Sequence, residues 1–225
     1  DLYYNQDDPK ISDYEYDMMM KELKKLEKDH PEYVTPSSPT QHVGGSAKRE
    51  AGVLVRHRVP MLSLQDVFSK EEVQDFVKSM QETLVDPVFV VEYKIDGLSM
   101  ALRYENGLLT TAITRGDGII QGEDVTVNAK VIKDVKNKLK EPIEYLEVRG
   151  EVYMTNEAFD KVNEIQELNN KKTFANPRNC AAGTLRQLDS RITKQRNLSM
   201  FIFNIQDIRG KEITSHSQGY EYLKI

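Results

Sequence analysis

The run Glu92-Tyr93-Lys94-Ile95-Asp96-Gly97 combines one lysine amine with two carboxylates and a glycine turn. A lysine amine attacks phosphorus or carbon only after losing its proton, a state favoured by burial or by nearby positive charge. The pattern predicts Lys94 at the end of one strand, with Asp96-Gly97 turning the chain into the next. Glu92 stands two residues earlier, so both side chains are expected on one strand face. Taken alone, this string reads as an exposed strand lysine paired with Glu92. Cys180, the single cysteine, follows Asn179 at an expected helix start, where a thiolate is favoured. No histidine lies near it in sequence, and it reads as a small packed residue. His30, His42, His57 and His216 lack metal-ligand spacing, and no Cys/His cluster has the spacing of a zinc site.

The elements that would position these residues fall into two groups. Ser12 to Lys28 has a capping-box pattern at Ser12 and Glu15 and an apolar recurrence at Tyr16, Met20 and Leu23, which predicts a helix ended by Pro31. Residues 35–50 hold Pro, Ser and Gly without periodicity and read as a linker, so a domain boundary is placed near residue 50. A second helix is expected after Ser69, with Val73, Phe76, Val77 and Met80 on its apolar stripe. The period then changes to two. Val88 to Tyr93 and Leu98 to Tyr104 are predicted strands, and Asn106-Gly107 is a hairpin signal before a strand at Leu108 to Thr114. Leu146 to Tyr153 is a further alternating strand, with Glu147, Arg149 and Glu151 on one face. Thr155 is expected to cap a helix reaching Asn169, and Asn179 another reaching Leu188. A strand at Leu198 to Ile205 and a helix from Ser217 follow. The fold class read from this order is α+β, built on antiparallel sheet, with no internal repeat.

Net charge is −5 over 225 residues, which by itself argues weakly against a nucleic-acid partner. The distribution says more. Lys171, Lys172, Arg178, Arg186, Arg191, Lys194 and Arg196 lie in one stretch with a single acid, Asp189, giving a local charge of +6 and leaving −11 for the rest. Such an island suggests a specific anionic ligand, although charge alone fits a solvated helix face equally. The longest apolar runs, such as Val88 to Val91, are far short of the roughly 20 residues a membrane helix needs. A lone cysteine suits a reducing cytoplasm. The opening Asp1-Leu2-Tyr3-Tyr4 lacks both an initiator Met and a signal-peptide pattern, so the chain is expected to be part of a longer protein.

Three short motifs then occur in order: Lys94-Ile95-Asp96-Gly97, Thr114-Arg115-Gly116-Asp117-Gly118 and Val148-Arg149-Gly150-Glu151. This set resembles that of the covalent nucleotidyltransferases, which include DNA ligases, RNA ligases and mRNA-capping enzymes, and in which the motif lysine takes a nucleotide as a phosphoramidate. Tyr3-Tyr4, Asp7, Pro9, Asp13, Tyr16 and Asp17 resemble the small helical domain found only in bacterial NAD-dependent DNA ligases, where it holds the nicotinamide mononucleotide half of NAD. Asp13, Tyr16 and Asp17 share a helix face at i, i+3 and i+4, and carboxylates with aromatic surface suit a cationic pyridinium ring. The likeness continues through Ser37-Ser38-Pro39-Thr40, Val43-Gly44-Gly45 and Pro60-Met61-Leu62-Ser63-Leu64. It then runs through Phe174-Ala175-Asn176-Pro177-Arg178-Asn179 to Arg186-Gln187-Leu188-Asp189, and so covers most of the chain.

The resemblance implies a helical NMN-binding subdomain over residues 1–50 and an antiparallel nucleotidyltransferase (ATP-grasp-like ligase) domain over 51–225, incomplete at its C-terminus. It implies Lys94 as nucleophile, Glu92 as reader of the adenine amino group, and Ser63 and Leu64 along the nucleotide pocket. It further implies Arg115 on the AMP moiety, Glu151 on the ribose hydroxyls, and Tyr3, Tyr4, Asp13, Tyr16 and Asp17 toward NAD. Arg178 and Arg186, with Arg196 behind them, are implied contacts to the phosphates of nicked double-stranded DNA, where a planar guanidinium grips oxygens bidentately. NAD as AMP donor, Mg²⁺, a monomeric state and a cytoplasmic place are implied in the same way. The sequence departs from the family in two respects. Residues 116–122 hold three residues between the last two glycines where two are usual, and a later D-G-V-V-x-K motif, with a further lysine, is not in this chain. The oligonucleotide-binding, zinc-finger and helix-hairpin-helix domains that encircle DNA are also outside it. Two alternatives stay open: an NAD-binding fragment that does no chemistry, and an ATP- or GTP-using enzyme of the same superfamily. An NAD-dependent oxidoreductase is disfavoured because residues 116–122 do not form a strand-to-helix dinucleotide fingerprint.

Overall fold

The computed structural model describes residues 11, 13–35, 38–41 and 52–224. Helix α1 spans Asp13–Asp29 and is followed by a single 3₁₀ turn at Pro31–Tyr33, where the fixed φ of proline suits a helix start but not a helix interior. The expected cap at Ser12 lies outside the described residues, as do Tyr3, Tyr4, Asp7, Pro9, Ser37 and Val43 to Gly45. Glu27 on α1 accepts hydrogen bonds from Ser38 and Thr40, which ties the helix to the second 3₁₀ turn, Pro39–Gln41. Toward the larger unit, Lys21 pairs with Glu72 and lies over the Phe68 ring, and Tyr14 meets that ring edge-on.

That larger unit contains β1 (Leu54–Arg56), α2 (Lys70–Thr83), β2 (Leu98–Glu105), β3 (Leu108–Thr114) and β4 (Gln121–Glu123). It continues with α3 (Thr126–Ala129), β5 (Tyr145–Tyr153), α4 (Asn156–Leu168), α5 (Pro177–Leu185), α6 (Ser190–Gln195), β6 (Ser199–Arg209) and α7 (His216–Leu223). Four strands form an antiparallel sheet in the order β3-β2-β5-β6, and β1 pairs with β4 in a small second sheet. The α+β reading therefore holds.

The hairpin between β2 and β3 turns at Asn106 (φ 50°) and Gly107 (φ 76°), the left-handed pair that an Asn-Gly turn supplies at low cost. One sheet face is apolar. Met100, Leu102 and Tyr104 of β2, with Leu146, Val148 and Val152 of β5, pack against Ala129, Ile132, Val162, Cys180, Ala181 and Leu185 from the helical side. Cys180 is thus the packed residue its surroundings suggested.

Helix ends follow local side-chain chemistry. Ser69 caps α2 by accepting from Glu72 N–H, and Thr155 caps α4 by accepting from Ala158 N–H. The helix expected to start after Asn179 starts earlier. Asn176 is its cap, accepting from the Asn179 N–H at 2.8 Å, and Pro177 takes the first helical position. An Asn three residues upstream, directly before a proline, outcompetes Asn179 because Pro is pre-organised for the first turn. That helix stops at Leu185 rather than Leu188, and Asp189 caps a separate short helix, α6.

The largest difference from expectation is Val88 to Tyr93, which is not a strand. Val88, Val91 and Tyr93 are 91%, 96% and 89% exposed. A strand needs a neighbour to satisfy its backbone groups, and among the described residues none lies beside this segment. Phe89 does touch Phe76 of α2, ring to ring at 6.2 Å. The stripe of α2 is likewise not buried.

Candidate nucleotide site

The second sheet face is polar. Register places Ser99 opposite Glu151, Ala101 opposite Arg149 and Arg103 opposite Glu147, so a row of charge runs along β2 and β5. The two ends of that row differ.

At one end Glu147 is fully buried. Its Oε2 accepts from Arg103 Nε at 2.8 Å and from the Tyr145 hydroxyl at 2.6 Å, and Arg103 also donates to the Arg56 carbonyl of β1 at 3.0 Å. Burial and the Glu147 carboxylate push the Tyr145 hydroxyl up to about 12. The sequence reading put Glu147 on the same face as Glu151, which is correct, but its role is internal.

At the other end the row opens. Burial raises the Glu151 carboxyl above its ordinary range, against the opposing pull of Arg178, Lys94 and Arg149 and a Ser99 hydrogen bond. These three cations therefore gather around one carboxylate. Arg149 donates to Ser99 Oγ at 3.1 Å and to the Leu62 carbonyl at 3.0 Å, and its guanidinium lies 5.5 Å from the Phe203 ring centre. Burial, with Arg115 close by, holds Arg149 below the ordinary guanidinium range, while Glu151 pulls the other way. Arg115 donates to Ser63 Oγ at 2.6 Å, and its carbonyl faces His57 Nε2 at 2.9 Å. Arg178, near the start of α5, pairs with Asp96 at 3.5 Å.

Two close backbone approaches set this geometry. A Cβ on Gly97 would sit 2.1 Å from the Val152 carbonyl, and one on Gly150 would sit 2.4 Å from the Phe201 carbonyl. Only glycine lets the turn after Lys94 rest on β5, or lets β5 rest on β6 at the Arg149–Glu151 step. The loop after Arg115 is organised by Asp117, whose Oδ1 accepts from the N–H groups of Ile119, Ile120 and Gln121. The extra residue is thus absorbed in a capped turn that leads into β4, and those bonds lower the Asp117 carboxyl despite some burial.

Among the sequence-derived candidates, this end of the row brings together Lys94, Glu151, Arg115, Ser63 and Arg178. Lys94 is exposed and sits on irregular chain rather than at a strand end. Leu64 is exposed next to Ser63. Glu92 meets His216, with Nε2 and Oε1 2.5 Å apart. Arg186 pairs with Glu123 at 2.8 Å, while Arg196 donates to Thr184 and stacks on Phe174, so both are held by other protein partners. Tyr16 is exposed on α1, and no described contact joins it to these residues; Asp13 and Asp17 are carried by the same helix. Sequence reasoning gave no role to Arg149, Ser99, Phe203 or His216. Arg149 could have been found, because it shares the face of Glu151 at a spacing of two. Phe203 and His216 arrive from distant elements and leave no local signal.

An antiparallel sheet whose polar face ends near one accessible lysine and three arginines has the charge that suits a phosphate-bearing ligand. The comparisons narrow that class. Residues 52–225 match the family model described as the NAD-dependent DNA ligase adenylation domain, and residues 1–44 match the DNA ligase-like N-terminal NAD+-binding domain. The chain is 56% identical over 223 residues to a DNA ligase of Clostridium kluyveri and 54% identical over 224 residues to one of Caldicellulosiruptor saccharolyticus. A DNA ligase of Clostridioides difficile is 48% identical over 223 residues. Each alignment covers 99% of this chain and 33% of the relative, so the chain spans about one third of the curated proteins it matches. The chain belongs to the NAD-dependent DNA ligase adenylation domain family.

Proposed function

We propose that this chain is the adenylate-accepting part of an NAD-dependent DNA ligase, with an NMN-holding subdomain over residues 1–50 and the transferase domain over 51–225. The Lys94 amine, once deprotonated, attacks the adenylyl phosphorus of NAD. A P–N bond forms, the P–O bond to the bridging oxygen breaks, and nicotinamide mononucleotide leaves with the electron pair. In the longer protein the AMP passes to the 5′-phosphate of a DNA nick, in replication and repair. The observation that carries this reading is the gathering of Lys94, Arg149 and Arg178 around Glu151. Positive charge there meets the charge that develops on the transferring phosphoryl group.

The remaining roles are those that the resemblance to the family implies. Arg115, held to Ser63, faces the AMP phosphate, with Leu64 along the pocket; Glu151 accepts from ribose hydroxyls; Glu92 reads the adenine amino group. Tyr3, Tyr4, Asp13, Tyr16 and Asp17 serve the nicotinamide half. Arg178, Arg186 and Arg196 serve DNA phosphates. Among the described residues no three His, Cys, Asp or Glu side chains gather as metal ligands. The residues present do not build a protein cage for Mg²⁺, and no step is routed through that ion. No helix of the described residues is long and apolar enough to cross a membrane; a cytoplasmic monomer is proposed.

The test is to incubate the chain separately with NAD and with ATP, each labelled in the adenylate. Label from NAD alone supports the reading. Label from ATP alone would make it an ATP-using relative, and bound but untransferred NAD would make it a non-catalytic binding fragment.

A further inference from the structure

Glu92 lies in a segment that no described strand supports, yet its carboxylate is held. His216 Nε2 donates to Oε1 at 2.5 Å, and the Tyr220 hydroxyl is buried against the same carboxylate. His216 and Tyr220 are four residues apart on α7, so they share a face, and their rings meet at 4.9 Å and 79°. Ser215 caps the helix by accepting from the Gln218 N–H at 3.2 Å, which fixes where the His216 ring enters. Burial, with Glu92 close by, pushes the Tyr220 hydroxyl up to about 12, so it keeps its proton, and the Tyr220 ring backs the His216 ring. The Glu92 side chain remains 30% exposed, so the carboxylate is not sealed from a ligand.

We propose that His216, backed by the Tyr220 ring, is a positioning residue for Glu92: it occupies Oε1, leaves Oε2 as an acceptor, and thereby selects a nucleotide whose base carries an exocyclic amino group over one carrying a carbonyl. This rests on the proposed role of Lys94 and Glu92. The physical basis is asymmetric. A fixed carboxylate acceptor gains a charge-assisted bond from an amino group and faces lone-pair repulsion from a carbonyl oxygen. A carboxylate free to rotate can turn its oxygens away and loses that discrimination. A site built around a substrate N–H rejects the analogue lacking it far more strongly than an apolar pocket can.

The experiment measures AMP or IMP transfer to Lys94 in the full chain from NAD and from nicotinamide hypoxanthine dinucleotide, which has a carbonyl in place of the amino group. The unsubstituted chain, His216→Ala, His216→Gln and Tyr220→Phe are compared. His216→Ala is expected to lower the NAD-over-hypoxanthine preference by about tenfold, the loss of one hydrogen bond to a charged group, through a higher KM for NAD with kcat little changed. His216→Gln keeps an N–H donor of similar reach and is expected to restore most of the preference; Tyr220→Phe keeps the ring against His216 and is expected to leave the preference unchanged. An unchanged preference in His216→Ala, or equal losses for both dinucleotides in every variant, would overturn the proposal while leaving Lys94 as nucleophile. No transfer in the unsubstituted chain would instead overturn the reading of Lys94 and this inference with it.

Discussion

At the Tyr145 end of β5, Arg103 and Tyr145 both donate to Glu147, and the group is sealed from solvent. At the Glu151 end of the same strand, Lys94, Arg149 and Arg178 surround one carboxylate, and Arg115 stands next to Arg149. The same residue types serve both ends. What differs is closure. The first end contains its own counter-charge and contributes to holding the sheet to β1. The second has more cations than carboxylates, so an anionic ligand can complete it.

Breaking the open end should leave the fold intact and remove the chemistry. Lys94→Arg keeps a cation on the exposed chain but no amine that can be freed of its proton. It is expected to abolish transfer of AMP while leaving the thermal midpoint unchanged; residual labelling at a normal rate would move the nucleophile elsewhere. Breaking the closed end should do the reverse. Glu147→Ala leaves Arg103 buried without its partner and is expected to cost about 3–5 kcal/mol in urea unfolding. A cost below about 1 kcal/mol would show that water enters and that this end is less closed than its geometry indicates.

The two ends also differ in how easily they were read. The Asn106-Gly107 hairpin and the Ser69 and Thr155 caps are local signals, and each element forms where they point. Lys94, Arg115 and Glu151 are legible as candidates because their motifs lie next to strand ends or close-packed glycines. Val88 to Tyr93 failed because pairing is not local: an apolar run states a preference for a ladder but cannot supply its neighbour. The burial of Glu147 is not legible for a similar reason, since alternation gives the face and not the depth. His216 was set aside for want of metal spacing, and its contact with Glu92 joins residues far apart in the chain. Asn179 was chosen over Asn176 by overlooking the proline between them.

Two smaller effects sharpen the comparison. Asn176→Ala removes the cap of the helix that carries Arg178 and is expected to cost about 1 kcal/mol, with a weaker coupling between Arg178 and Asp96. The mildest effect is a pH dependence at the open end. Because burial raises the folded-state pKa of Glu151 above its ordinary 4.5, its contribution to stability is complete below that value and is lost as pH rises through the folded pKa. Glu151→Gln does not titrate. The stability of the unsubstituted chain relative to Glu151→Gln should therefore fall as pH rises from acid toward neutral. A difference that instead grows with pH, read from thermal midpoints, would mean that the three cations outweigh burial.

The central claim is that the open end exists to place AMP on Lys94. The most direct measurement is peptide mass mapping of the chain after incubation with NAD. The account predicts one AMP adduct, on the peptide containing Lys94, lost on acid treatment as a phosphoramidate should be. An unmodified Lys94 peptide in a chain that demonstrably binds NAD, or an adduct on another lysine, would contradict it.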